Sequence, residues 1–172
     1  PAHVPRSWNE VDVPHCWPTD PRYPYTGPAW YRRTFTVQTA IPNPHARLVF
    51  HGVFYRSRVW LNGRLLGEHE GGYTAFEMDA TRWIQWKGQN TLAIEVDNSW
   101  STNTLPGARI GPLAEQQVYP WWEYGGIVRP LELVITGPVY TARQRVISTP
   151  DLVSGGATIN ITSYVRNAGN EP

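Results

Sequence analysis

Residues 59–79 read Val-Trp-Leu-Asn-Gly-Arg-Leu-Leu-Gly-Glu-His-Glu-Gly-Gly-Tyr-Thr-Ala-Phe-Glu-Met-Asp. Asn62-Gly63 stands between two short apolar runs. It is the dipeptide that accepts the two positive φ angles of a type I′ hairpin turn at least cost. Such a turn sets Leu61 opposite Arg64 and Trp60 opposite Leu65. Gly71-Gly72 then breaks the second strand, and another begins near Tyr73. The stretch therefore reads as antiparallel β structure.

The flanking sequence extends that reading. Residues 30–37 alternate, with Tyr31, Arg33, Phe35 and Val37 on one face and Arg32, Thr34 and Thr36 on the other, which is strand periodicity. An Ile41-Pro42-Asn43-Pro44 turn leads to a strand over residues 47–53. The Pro-rich residues 1–29, containing Val13-Pro14-His15-Cys16-Trp17 and Tyr25-Thr26-Gly27-Pro28, read as an ordered leader lying across a sheet. Beyond the hairpin, Asp79 is placed to cap a short helical turn through Trp83 to Trp86, ended by Lys87-Gly88-Gln89-Asn90. Residues 91–97 form the clearest strand, with Leu92, Ile94 and Val96 pointing one way and Ala93, Glu95 and Asp97 the other. A further strand covers residues 127–136 with Leu131, Leu133 and Ile135 inward, and Pro130 marks an edge or a position whose N–H needs no partner. After Gly137-Pro138, residues 139–148 and 157–166 read as two more strands. Two strands alone are marginally stable, so they are expected to open a second β-sandwich that the chain does not complete.

Residues 98–126 lack clean periodicity. Unstructured loops beyond about 12–15 residues are uncommon in compact domains and tend to be functional. This one carries Trp100, Arg109, Tyr119, Trp121, Trp122, Glu123 and Tyr124, too many aromatics for a disordered segment. It reads as an ordered functional loop.

Bulk composition narrows the class. The 172 residues include 15 basic and 14 acidic side chains, a net charge of +1, which gives no electrostatic case for nucleic acid or an anionic membrane. Nine Trp and nine Tyr, with charged residues at only 17%, exceed what a core of this size holds, so several rings are expected at a binding surface. Gly and Pro abundance favours turns and stiff loops over helices. The single Cys16 forms no internal disulfide and reads as a small buried hydrophobe. No signal peptide or membrane-spanning run is evident, cytoplasmic, periplasmic and secreted homes are all compatible, and Pro1 in place of an initiator Met suggests a chain trimmed from something longer.

Several residue groups invite chemical readings. Adjacent Trp121 and Trp122 face opposite ways if extended, so one can pack on the sandwich while the other offers a flat face to a pyranose ring; burial of both is an equal alternative. Glu115 and Glu123 are carboxylates, but nothing fixes the separation of about 5–10 Å that glycosidic acid–nucleophile pairs need, so they read as solvated and no catalytic residue is assigned. In Glu68-His69-Glu70 the central side chain points away from both carboxylates of a strand, so no metal site and no cofactor is expected. Asp97-Asn98 reads as turn chemistry. Arg109 either contacts an acidic sugar through its planar fork or ties the loop down, and His15 has no partner in view.

Taken in order, Val13-Pro14-His15 with Trp17, Tyr31-Arg32-Arg33-Thr34-Phe35, Phe50-His51-Gly52-Val53, Val59 to Gly63, Gly67, Gly71-Gly72-Tyr73-Thr74 with Phe76 and Asp79, Gly88-Gln89-Asn90 with Leu92, Val96-Asp97-Asn98, and Tyr124-Gly125-Gly126-Ile127 with Arg129 resemble glycoside hydrolase family 2, which contains β-galactosidases, β-glucuronidases and β-mannosidases. The resemblance implies an all-β, jelly-roll (galactose-binding-like) sandwich over residues 1–138, the family's amino-terminal sugar-binding domain with its leader. Residues 139–172 then look like the opening strands of an immunoglobulin-like sandwich. It also implies that the catalytic (β/α)₈ barrel, with the two glutamates of a retaining mechanism, lies outside this chain, which should be inactive alone. The loop before Tyr124-Gly125-Gly126 would reach into the barrel's pocket. The family often has an Asp at that loop's start; Pro120 stands here, leaving Glu123 or Glu115 to take its place.

Three functions remain open at this point. The first is a non-catalytic part of a family 2 glycosidase that braces the barrel and completes its pocket, with Trp100, Arg109, Trp121, Trp122, Glu123 and Tyr124 as carbohydrate-binding candidates. The second is a free-standing carbohydrate-binding module. The third is a structural or assembly domain that self-associates through residues 139–172, whose open strand edges tend to pair.

Overall fold

A computed structural model describes residues 8–23, 25–105, 107, 109–110, 117–118 and 124–169, with residues 109–110 and 117–118 described by backbone only. Among the described residues the regular structure is one 3-10 turn and eleven strands. They are β1 (Pro28–Thr36), β2 (His45–Phe50), β3 (Arg56–Leu61), β4 (Arg64–Glu70), β5 (Phe76–Asp79) and β6 (Gln89–Asp97). These are followed by β7 (Arg109–Ile110), β8 (Gln117–Val118), β9 (Leu131–Thr136), β10 (Val139–Pro150) and β11 (Ala157–Asn167). No helix among the described residues is long and apolar enough to cross a membrane. The expected all-β class is met.

Two antiparallel sheets form the sandwich, one ordered β1-β6-β3-β4 and the other β5-β2-β9. Strand alternation builds the core between them. Val59 and Leu61 of β3, Leu92, Ile94 and Val96 of β6, and Ala46, Leu48 and Phe50 of β2 are buried in one cluster with Met78 and Ile127. Tyr31, Phe35, Val37, Leu131 and Leu133 pack on its margin, as their alternation requires, whereas Arg33 stays exposed. The strand anticipated over residues 127–136 begins only at Leu131, because residues 125–127 instead bond to the leader and to Phe54.

The hairpin between β3 and β4 has the expected register, with Trp60 opposite Leu65 and Leu61 opposite Arg64. Asn62 and Gly63 take φ values of 52° and 79°, as a type I′ turn demands. Asn62 has a second role. Its Nδ2 donates to the Trp83 carbonyl (2.8 Å) and to Asn90 Oδ1 (2.9 Å), and its Oδ1 accepts from the Thr91 N–H (2.8 Å). Asn90, fully buried, in turn accepts from Gln85 N–H and donates to the Gln85 carbonyl. The anticipated helical turn after Asp79 is only a single turn: Asp79 Oδ1 accepts from Thr81 N–H, and Ile84 N–H bonds back to Ala80. The Asn62–Asn90 network takes over the backbone groups that a longer helix would have used.

β10 and β11 make a separate two-stranded ribbon with a register shift between Thr141 and Arg143. Its base is fastened to the outer side of β2. Tyr140 stacks on His45 at 5.4 Å, the Arg47 guanidinium lies 4.1 Å over the Tyr140 ring, and Arg47 bonds Glu77 at 2.6 Å. That contact explains why His45 and Arg47, which point away from the core, are nonetheless buried.

Replacing Asn62 by Asp keeps the acceptor facing Thr91 but removes both Nδ2 donors and sets a carboxylate against two oxygens. Urea denaturation is expected to show a loss of about 1–3 kcal/mol with an unchanged m-value. An Asn62→Asp protein as stable as the parent would mean that the network does no more than the turn itself.

Candidate functional site

The long excursion over residues 98–126 leaves and rejoins the sandwich at one place, and two glycines define it. Trp17 opens a short 3-10 turn (Trp17–Thr19). It is 3% exposed and donates from its indole Nε1 to the Tyr25 carbonyl at 2.8 Å. Its backbone N–H bonds the Gly125 carbonyl (3.0 Å), and His15 N–H bonds the Ile127 carbonyl (2.7 Å). On the other side Gly126 exchanges both backbone bonds with Phe54, at 2.9 and 3.1 Å. The returning chain is thus the middle of a three-layer backbone pairing.

Side chains have no room there. A Cβ on Gly125 would lie 2.5 Å from the Trp17 indole and from Asn98 Nδ2. Gly126 has φ +134°, and a Cβ would meet the His15 carbonyl oxygen at 2.3 Å. Asn98 is fully buried at the departing end, with its Oδ1 accepting from Gly27 N–H at 2.8 Å. Both ends of the excursion therefore meet at Asn98 and Gly125. Turn chemistry describes Asp97, whose Oδ1 accepts from Ser99 N–H. It does not describe Asn98, which reaches 71 residues back to the leader.

Aromatic rings close the same corner. His15 Nδ1 lies 2.8 Å from the Tyr31 hydroxyl, and the His15 ring meets Tyr23 and Tyr31 edge to face. His15 thus has a partner, which the sequence alone did not show because Tyr31 lies on a strand beyond the leader. Burial pushes the Tyr31 phenol well above its usual range, against a smaller opposing effect of the Ile127 amide. Burial also lowers the His15 pKa, with Asp20 opposing the change. Tyr73 beside Phe54 is raised by burial and then by the neighbouring Tyr124. These groups are a rigid frame, and what they hold is the root of the loop.

Of the candidate residues, Tyr124 is half-buried directly before the glycine pair and Trp100 is half-buried near the departing end. Arg109 contributes backbone to β7, which pairs with β8 through Arg109 and Val118. Trp121, Trp122 and Glu123 lie outside the described residues, as do Glu115, Tyr119 and Pro120. The early loop is tied inward, with Leu105 N–H bonding the Tyr55 hydroxyl at 3.2 Å and Ser101 N–H bonding Thr104 Oγ1 at 3.1 Å. His69 stacks on Phe76 at 4.0 Å, while Glu70 pairs with Arg56 on the opposite face. Among the described residues no three His, Cys, Asp or Glu side chains converge as a cation site.

The family model described as glycosyl hydrolases family 2, sugar binding domain, matches residues 2–138. The chain belongs to glycosyl hydrolase family 2. It is 28% identical to a β-galactosidase of Bacteroides ovatus over 97% of its own length and 19% of that protein. It is 31% identical to a putative β-glucuronidase of Formosa agariphila, over 95% of its length and 19% of that protein. The structure of β-glucuronidase 3 from Bacteroides uniformis superposes with a TM-score of 0.77 at 26% identity, covering 95% of this chain and 22% of that one. The chain thus spans about a fifth of the length of the family 2 relatives it matches. It carries the family's sugar-binding domain, and the sandwich expected from the resemblance is the one found.

The His15 environment sets a pH dependence for this family 2 domain. Unfolded His15 takes up a proton near its ordinary value of 6.5, whereas the folded ring resists until lower pH. Its contribution to stability is full above about pH 6.5 and is lost as pH falls through the lowered folded value. Denaturant titrations from pH 7.5 to 4.5 should therefore show a smaller acid-side loss for His15→Asn than for the parent. Parallel stability–pH curves would contradict this assignment.

Proposed function

We propose that the chain is the non-catalytic, sugar-binding portion of a family 2 glycosidase that hydrolyses O-glycosidic bonds. In this reading it braces a (β/α)₈ barrel elsewhere in the parent protein and lends the loop over residues 98–126 to the substrate pocket. The observation that supports it is the locking of both loop ends onto Asn98, Gly125 and Trp17. A loop fastened so firmly at its root can present Tyr124 and its neighbours to another domain without loss of position. Retaining glycoside chemistry needs two carboxylates about 5–5.5 Å apart, and that pair is assigned to the barrel. Within the loop, one of Trp121 and Trp122 stacks on a sugar ring. Glu123, Tyr124, Trp100 and Arg109 supply polar or edge contacts.

In the intact parent enzyme, Trp121→Ala and Trp122→Ala test this reading directly. At least one is expected to raise KM for a glycoside by about tenfold, as loss of a buried aromatic anchor does, with the fold kept. If kcat and KM stay unchanged for both, the loop makes no stacking contact and the domain only braces.

Residues 139–172 we infer to be the opening of an immunoglobulin-like sandwich covered by further strands of the parent. One face of the ribbon supports this: Val146, Ile159, Ile161 and Val165 are each about 59–65% exposed, and Val146 pairs with Ile161 across the strands. Val146, Ile159 and Ile161 form an exposed apolar cluster, bounded by the Gln144–Ser163 hydrogen bond, and such a cluster seeks a cover. The isolated chain is therefore expected to self-associate in sedimentation experiments, and Ile161→Lys to weaken that association. A monomer at high concentration would reject self-pairing through this ribbon.

A further inference from the structure

The four-stranded sheet has an outer face that the loop reading leaves unused. Cross-strand pairing arranges it in rows, because residues directly opposite share a face. One row is Trp30, Glu95, Arg58 and Glu68; the next places Arg32, Ala93, Trp60 and Leu65 side by side. Ala93 has little side chain, so Trp30 and Trp60 meet above it. Their ring centroids are 5.1 Å apart with planes inclined by 31°, and Trp30 is 39% exposed. Among the seven described tryptophans only Trp17 is buried; Trp83 and Trp86 pack half-buried against the core, and Trp30 and Trp60 lie on the outer face.

Beside the indoles lies an open cavity of about 420 Å³, whose charged lining is Arg56, Arg58, Glu68, Glu70, Glu95 and Asp97, with Ser57 and His69 beside them. Its charged groups hold one another in place. Arg58 bonds Glu95 at 2.7 Å, with the Glu95 side chain only 15% exposed, and Arg56 bonds Glu70 at 2.9 Å. The Arg58 guanidinium also lies 5.7 Å from the centre of the Trp60 ring, joining cavity to platform. Tyr55 donates its hydroxyl to Glu70 while accepting from Leu105 N–H, so this face is continuous with the root of the long loop.

We propose that the outer face of the β1-β6-β3-β4 sheet binds a neutral oligosaccharide chain, with Trp30 and Trp60 as the stacking platform and the Arg58–Glu95 pair and its charged neighbours as hydroxyl-binding groups. The proposal rests on the sugar-binding reading and adds a second surface to it. Indole faces suit the C–H side of a pyranose. Planar guanidinium and carboxylate groups, held by each other, present donors and acceptors to hydroxyls at little ordering cost. Four carboxylates against two guanidiniums leave the cavity lining at −2 with His69 neutral, and Arg32 in the Trp60 row leaves the face still net negative, which disfavours uronate or sulfated chains and favours uncharged ones.

The test is an NMR titration of the 172-residue chain with cellotetraose, β-1,4-galactotetraose and β-1,4-mannotetraose, with tetragalacturonate as the charged comparison. At least one neutral tetrasaccharide is expected to shift the Trp30 and Trp60 indole resonances saturably in the millimolar range, and tetragalacturonate more weakly. Trp30→Ala should raise Kd by about tenfold, the effect of removing one aromatic anchor, and Glu95→Gln should weaken binding without touching the indoles. Saturable shifts confined to Trp100 and Tyr124 would overturn the outer-face site while leaving the loop reading intact. No shift with any neutral sugar would overturn it too, since the loop's role is judged separately in the parent enzyme. Stronger binding of tetragalacturonate would overturn the charge argument. Shifts that follow protein concentration instead of sugar would assign the face to a contact between copies.

Discussion

The packing of Trp17 against Gly125 is the contact on which the rest of the molecule depends. It brings together the leader, the end of β6 through Asn98, the chain returning from the long excursion, and the segment before β3 through Phe54. The constraint is steric: the indole and the Asn98 amide occupy the space a Cβ at residue 125 would need. Glycine at 126 answers a different requirement, a φ of +134° beneath the His15 carbonyl. One glycine admits a side chain from elsewhere, and the other admits a backbone turn. Together they let the excursion begin and end at a fixed point on a regular sandwich.

A second seam joins the β10-β11 ribbon to β2. His45 and Arg47 sit on the outward positions of β2, where strand alternation alone would leave them in water. Tyr140 covers both, stacked on one and beneath the guanidinium of the other, while Glu77 holds Arg47 from its own side. The ribbon's base is therefore joined to the sandwich by oriented polar and aromatic contacts, not by continuation of the core.

What the sequence disclosed and what it withheld divide along one physical line. Period-two patterning placed Leu92, Ile94 and Val96 in the core, and Asn62-Gly63 fixed its hairpin register, because both depend on residues close in the chain. The reach of Asn62 to Trp83 and Asn90, of Asn98 to Gly27, and of His15 to Tyr31 depends on folding distant segments together. Local propensity carries no trace of it. The Tyr124-Gly125-Gly126 motif was visible as a resemblance, but the reason for glycine there belongs to Trp17. Trp30 and Trp60 were assignable to strands, yet alternation names a face without naming the neighbour across Ala93.

Tyr55 shows how the two candidate sugar-facing regions are linked. Its ring is 5% exposed, and its hydroxyl bonds Leu105 N–H from the long loop on one side and Glu70 of the outer face on the other. A buried ring has few alternative positions, so the hydroxyl acts as a fixed post between loop and sheet. Any displacement of the early loop must lengthen the bond to Tyr55 or pull on Glu70, and Glu70 is already held by Arg56. The sheet face and the loop root thus share one polar chain anchored in the core.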